Sequence, residues 1–86
     1  MTSAVRVRVE GTVQGVGFRP YVFRLAHELA LGGYVLNDER GVLVEVEGDE
    51  RAVARFVERL PAEAPPLAHV ERVASEHVVP TGATDF

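Results

Sequence analysis

Apolar and charged residues alternate strictly near the N-terminus: Val5, Val7 and Val9 are interleaved with Arg6, Arg8 and Glu10. A period of two predicts a strand with one buried face. The alternation breaks at Gly11–Gly17, where three glycines interrupt regular structure. A different period starts at Pro20, which suits a first helical turn because it has no N–H to leave unpaired. Val22, Leu25, Ala26 and Leu29 then share one helix face, with Arg24, His27 and Glu28 on the other. The pair Gly32–Gly33 predicts the end of that helix. Tyr34–Leu36 reads as a short strand, and Asn37–Gly41 (NDERG) as a turn.

Period two returns at Val42, Val44 and Val46, with Leu43, Glu45 and Glu47 between them. Gly48–Asp49 supplies a turn and a helix cap. Val53, Phe56, Val57 and Leu60 make an apolar helix face that Pro61 should end. Arg51, Arg55 and Arg59 stand on the opposite side. They read either as an anion patch or as a solvated face interleaved with Glu50 and Glu58. Ala62–Ala68, with Pro65 and Pro66, predicts an extended linker. Val70–Val73 begins a further strand that Val78 and Val79 can continue, and Pro80–Phe86 has turn chemistry. The order βαββαβ predicts an α+β, ferredoxin-like two-layer sandwich: an antiparallel sheet with two helices on one face.

Composition narrows this picture. Residues 1–86 suffice for one small domain, with 47% hydrophobic and 26% charged residues, the balance of a globular chain. A net charge of −4 argues against a nucleic-acid partner. No apolar run is long enough to span a membrane. There is no cysteine, hence no disulfide, no thiol nucleophile and no Cys-based metal site, which fits a cytoplasmic location. All nine basic residues are arginine, which removes lysine-dependent chemistry. His27, His69 and His77 do not share metal-ligand spacing and read as surface or edge residues. No metal or cofactor is expected.

The chemistry concentrates in Thr12–Arg19, TVQGVGFR. A strand ends, Gly15 and Gly17 permit unusual backbone angles, and a helix begins. Such a turn is often purely structural. It also lets the backbone N–H groups of Gln14, Gly15, Val16, Gly17, Phe18 and Arg19 converge on an anion at a helix N-terminus. The Arg19 guanidinium offers a planar fork matched to two phosphate oxygens. The loop lacks the Lys-Ser/Thr of a Walker motif and the glycine spacing of a dinucleotide fingerprint. In a ferredoxin-like sheet the first and second strands run parallel, so Asn37, ending the second, shares an edge with this loop. Asn37-Asp38 is either turn chemistry alone or a functional amide. An amide can both donate and accept without repelling a dianion, so it could hold a water in line with a bound phosphorus.

With these residues in place, the chain resembles the acylphosphatases. The resemblance rests on Val13-Gln14-Gly15-Val16, Phe18-Arg19, and Gly33-Tyr34-Val35-Leu36-Asn37, and it spans roughly Val5 to Val73. It implies hydrolysis of a small-molecule acyl phosphate to carboxylate and phosphate. Arg19 and the loop would hold the phosphoryl group, and Asn37 would orient the attacking water. Gly17 and Pro20 depart from the small stand-alone members. There, and at Ala64–Val70, the chain is similar to the N-terminal domain of the hydrogenase-maturation carbamoyltransferases. That likeness, together with the stop at Asp85-Phe86 before a last short strand, predicts a domain cut from a longer protein. It implies carbamoyl phosphate as substrate, and as partners the remaining domains and a maturation protein. The alternative is a non-catalytic phosphate-binding or docking module of the same fold.

Overall fold

The computed structural model describes residues 1–86. Its elements are β1 (Thr2–Thr12), α1 (Phe18–Glu28), β2 (Gly32–Asp38), β3 (Gly41–Asp49), α2 (Glu50–Ala62) and β4 (His69–His77). One sheet has the order β2-β3-β1-β4, and every neighbouring pair is antiparallel. Both helices pack on one face, as the ferredoxin-like reading requires. No helix is long and apolar enough to cross a membrane.

The alternation seen in the sequence sorts the two faces. Val5, Val7 and Val9 of β1 lie in register with Val46, Val44 and Val42 of β3, and all six are buried beneath the helices. Val22, Leu25 and Ala26 of α1 close the core from above, together with Val53, Phe56 and Leu60 of α2. The other sheet face carries Arg6, Arg8 and Glu10. There Arg6 pairs with Glu45 at 2.9 Å, and Arg8 pairs with Asp38 at 2.6 Å.

Packing moved several boundaries. Gly32 and Gly33 do not end α1; they open β2. The helix ends at Glu28 with Leu29 as its cap, and Ala30 takes the left-handed position with φ of 57°. Ala30 N–H donates to His27 O at 3.1 Å and Leu31 N–H to Ala26 O at 2.9 Å, the bond pair of a Schellman turn. Pro61 lies inside the last turn of α2, which runs one residue further to Ala62. β2 extends to Asp38, so Asn37 is a strand residue rather than the first residue of a turn. Val78 and Val79 lie beyond the end of β4.

Two polar contacts fix the layers. The Tyr21 hydroxyl donates to the carbonyls of Arg59 at 3.0 Å and Leu60 at 2.9 Å, tying α1 to the end of α2. Burial, then the neighbouring Glu63 charge, pushes that phenol up to about 12. The second contact was not visible in the sequence. Glu47 is buried and accepts from Thr81 N–H (2.9 Å), Thr81 Oγ1 (2.8 Å) and Gly82 N–H (2.9 Å). It straps the C-terminal segment across the sheet to the β2 edge, where Gly33 N–H donates to Asp85 O at 3.0 Å. Phe86 then packs edge-on against Phe23 of α1.

Ala30→Gly should raise unfolding stability by about 0.5–1 kcal/mol in urea melts, because a left-handed alanine is strained and glycine relieves it. The Glu47 carboxyl is held below its usual range by the Thr81 amide first, then the Thr81 hydroxyl and the Gly82 amide. A depressed folded value means that its contribution is complete above the unfolded value, about 4.3, and is lost as pH falls through the folded one. The protection factors of the Thr81 and Gly82 amides, corrected for intrinsic exchange, should therefore fall below roughly pH 4, ahead of those in β1.

Candidate active site

The segment from Val13 to Arg19 alternates between anchoring and presenting. Val13 and Phe18 are almost fully buried and Val16 packs against the core, while Gln14, Gly15, Gly17 and Arg19 face outward. The Phe18 ring meets Tyr21 edge-on at 5.5 Å, which pins the first residue of α1. Three apolar anchors thus hold a loop whose backbone stays at the surface.

The backbone conformation decides what that surface offers. Gly15 has φ of 72° and Gly17 has φ of 82°, whereas Gln14, Val16 and Phe18 keep negative φ. Alternating handedness turns successive N–H groups toward one side, the geometry of an anion-binding nest. A Cβ on Gly15 or Gly17 would meet nothing within 4 Å, so the backbone angle and not crowding calls for glycine here. No N–H from Gln14 to Arg19 donates to any other group of the chain. Six consecutive free donors at the start of a helix form a concentrated patch of positive potential.

Arg19 adds a full charge to that patch. It is exposed and makes neither a hydrogen bond nor an ion pair, unlike Arg6, Arg8, Arg40 and Arg59. No acidic residue occupies the first turn of α1. A cation at the positive end of a helix dipole is unfavourable by itself, and a bound anion reverses that. Of the three helical arginines read as a possible anion patch, Arg59 is committed to Glu28 and Glu63 at 2.6 and 2.8 Å.

Asn37 comes to the same end of the sheet. It sits opposite Val42, which sits opposite Val9 near the end of β1, all in one register row on the helix side. Its Oδ1 is buried and has no hydrogen-bond donor from the chain. An unpartnered buried acceptor costs about 1–3 kcal/mol, so its presence beside a free-donor loop points to a small donor such as water.

The Gln14 side chain joins the two halves of the site. Its Nε2 donates to Asp38 O at 2.7 Å and to Gly41 O at 3.2 Å. The loop is thereby latched to the β2–β3 turn immediately after Asn37. The Nε2 of this side chain is committed to these two carbonyls, and the Gln14 backbone N–H stays unbonded. Asp38 steadies that turn in its own way. Its carboxylate accepts from Arg8 at 2.6 and 2.7 Å and from the Arg40 N–H at 2.9 Å. The Arg8 guanidinium, then the Arg40 amide, holds this carboxyl below the usual range. Its negative charge is neutralised on the sheet face away from Arg19. No spacing rule exposes the latch, because the partners of Gln14 are main-chain carbonyls 24 and 27 residues away.

Fold and site together define a small α+β domain with an anion-nest loop at one end of its sheet, and comparison with known proteins gives its family. The acylphosphatase family profile matches residues 5–86, and the chain belongs to that family. Family membership indicates hydrolase activity. Among relatives, the chain is 52% identical over 75 residues to carbamoyltransferase HypF2 of Cupriavidus necator, covering 87% of this chain and 9% of that protein. It is 46% identical over 84 residues to the acylphosphatase of Thermotoga maritima, covering 96% of this chain and 92% of that enzyme. It superposes on full-length HypF, crystallised in its phosphate- and nucleotide-bound form, with a TM-score of 0.96 and 34% identity, over 100% of this chain and 11% of HypF. The chain thus spans about a tenth of the carbamoyltransferases that it matches.

Gln14→Ala should leave the fold intact and cost about 1 kcal/mol, the value of an ordinary side-chain hydrogen bond. Its specific signature should be lower backbone order parameters in residues 13–19 with β3 unchanged, measured by NMR relaxation.

Proposed function

We propose that this domain hydrolyses acyl phosphates, with the loop from Gln14 to Arg19 holding the phosphoryl group and Asn37 directing water. The observation that carries this reading is the pairing of six unbonded N–H groups and a free Arg19 with the orphaned Asn37 Oδ1 at one sheet end. The backbone donors of Gln14, Gly15, Val16, Gly17 and Phe18 take the phosphate oxygens, and the Arg19 fork spans two of them. Water donates one hydrogen to Asn37 Oδ1, which aims an oxygen lone pair at phosphorus, in line with the acyl oxygen. The new P–O bond forms as the bond to the acyl oxygen breaks, and that electron pair leaves on the carboxylate. The water proton passes to a phosphoryl oxygen, so no general base is required. A carboxylate is already a good leaving group, so positioning and charge stabilisation supply the catalysis.

The likeness to the HypF proteins supports carbamoyl phosphate as the natural substrate, giving carbamate and phosphate. In that setting the domain serves a cytoplasmic carbamoyltransferase of [NiFe]-hydrogenase maturation, with the remaining domains and a maturation protein as partners. The likeness to a stand-alone acylphosphatase over nearly the full length of both chains supports hydrolysis by the domain itself.

Purified protein should release phosphate from acetyl, benzoyl and carbamoyl phosphate. Arg19→Ala should lower kcat/KM on the order of 10³-fold, in line with other arginines that stabilise phosphoryl charge. Arg19→Lys should recover only part of this, having lost the planar fork. Asn37→Ala should lower kcat with KM little changed, because Asn37 touches water and not the phosphate. Undiminished turnover by Arg19→Ala would overturn the assignment. Phosphate binding without turnover in the unsubstituted chain would make it a docking module.

A further inference from the structure

The two edges of the sheet are treated differently. The β2 edge receives the C-terminal strap at Gly33, whereas nothing covers β4. The hydrogen-bond parity of β4 follows from one contact: Val78 N–H donates to Ala4 O at 3.0 Å. In antiparallel pairing, Glu76 and Ala74 therefore also face β1, opposite Arg6 and Arg8. Val73, Ser75 and His77 direct their N–H and C=O groups outward to the free edge. The register slips at Glu10/Gly11, where Glu71 is the extra residue on β4, so the regular edge runs from Arg72 to His77.

We propose that this edge pairs with a second copy of the chain, antiparallel and two-fold symmetric about Ala74. The charge pattern selects that register. Parity restricts the two-fold axis to a residue position within the strand, and each choice sets different residues opposite one another. Centred on Ala74, Arg72 of each protomer faces Glu76 of the other, and Ala74 faces its own copy. Val73 and Ser75 then form two hydrogen-bonded pairs with four backbone bonds. Centred on Arg72, two arginines would collide. Centred on Val73 or Ser75, no opposite charges meet. Opposite charges directly across a strand pair favour association, and like charges oppose it. All five paired residues lie within the regular edge.

The ground beside the strand has room for the partner. α2 packs mainly on β1 and β3 and touches β4 less than either. A hollow of about 510 Å³, floored by Val5, Val53 and Val57 and bounded by Ser75 and His77, lies along the helix side of β4. On the other face, Arg72, Ala74 and Glu76 line a second hollow of about 280 Å³. A neighbouring strand would bring its own Val73 to the first and its own Arg72 and Glu76 to the second. The dimer is one eight-stranded sheet with four helices on one face, and both cradles remain at the open ends of β1 and β2.

A five-residue strand pair is a small interface, so we expect a dissociation constant on the order of 10–100 μM. The test is sedimentation velocity of the 86-residue chain from ~1 μM to ~1 mM, with register read by cross-linking. The chain has no cysteine, so Ala74→Cys introduces the only thiol. In the proposed register the two introduced thiols belong to a non-hydrogen-bonded pair about 4.5 Å apart at Cα, within reach of a disulfide. Ala74→Cys should form a covalent dimer under mild oxidation at least tenfold faster than Ser75→Cys or Glu76→Cys. Ser75→Pro removes an outward N–H and no bond to β1, an edge position where proline is tolerated. It should abolish the dimer while leaving far-UV circular dichroism unchanged. A chain that stays monomeric at ~1 mM, or an Ala74→Cys variant that cross-links no faster than its neighbours, would overturn the proposal. Should Ser75→Pro unfold, the comparison of cross-linking rates among the three cysteine variants decides.

Discussion

Val42 lies between Val9 and Asn37 in a single row across the sheet, and the site depends on that row. β3 pairs antiparallel with β1 on one side and β2 on the other, so β1 and β2 run parallel. The loop leaving β1 and the last turn of β2 therefore emerge at the same end. The row is held because Val9 and Val42 are fully buried. A slip of one residue would turn the valines of β3 to solvent and send Asn37 to the opposite face. Hydrophobic register thus sets the distance between the unbonded loop and the Asn37 amide.

Within that frame the loop meets two opposed requirements. Its backbone must stay unbonded to hold an anion, yet it must stay fixed to bind one well. Val13, Val16 and Phe18 fix it from below by burial. The Gln14 amide fixes it from the side through two carbonyls of the β2–β3 turn. Neither device consumes a loop N–H group. The charge balance follows the same division. Arg8 and Arg40 are tied to Asp38 and Glu10 on the far face of the sheet, and Arg19 is left without a counter-charge where a dianion would sit.

Much of this was legible in the chain. Strict valine alternation at 5–9 and 42–46 identified two strands and their buried faces, and 3.6-residue spacing identified both helices. The glycines at 15 and 17, followed by Arg19, marked a loop of unusual backbone angles running into a helix start. The boundaries that sequence misplaced have specific causes. Gly32 and Gly33 looked like a helix stop because glycine ordinarily takes the left-handed position, but here Ala30 took it, under the pull of two capping bonds and the burial of Leu31. Pro61 sits in the last turn of α2, and the helix continues one residue past it to Ala62.

The sequence by itself determined the element order, the buried face of each strand and the glycine-rich loop before the first helix, because these rest on local periodicity and local backbone freedom. Tertiary structure alone decided that Gln14 would latch to Asp38 and Gly41, that Glu47 would hold Thr81 and Gly82, and that Asn37 Oδ1 would be buried without a donor. Each of those depends on groups brought together across more than twenty residues, and most of the partners are main-chain atoms. Every residue carries the same N–H and C=O, so no side-chain pattern announces which of them a distant amide or carboxylate will find.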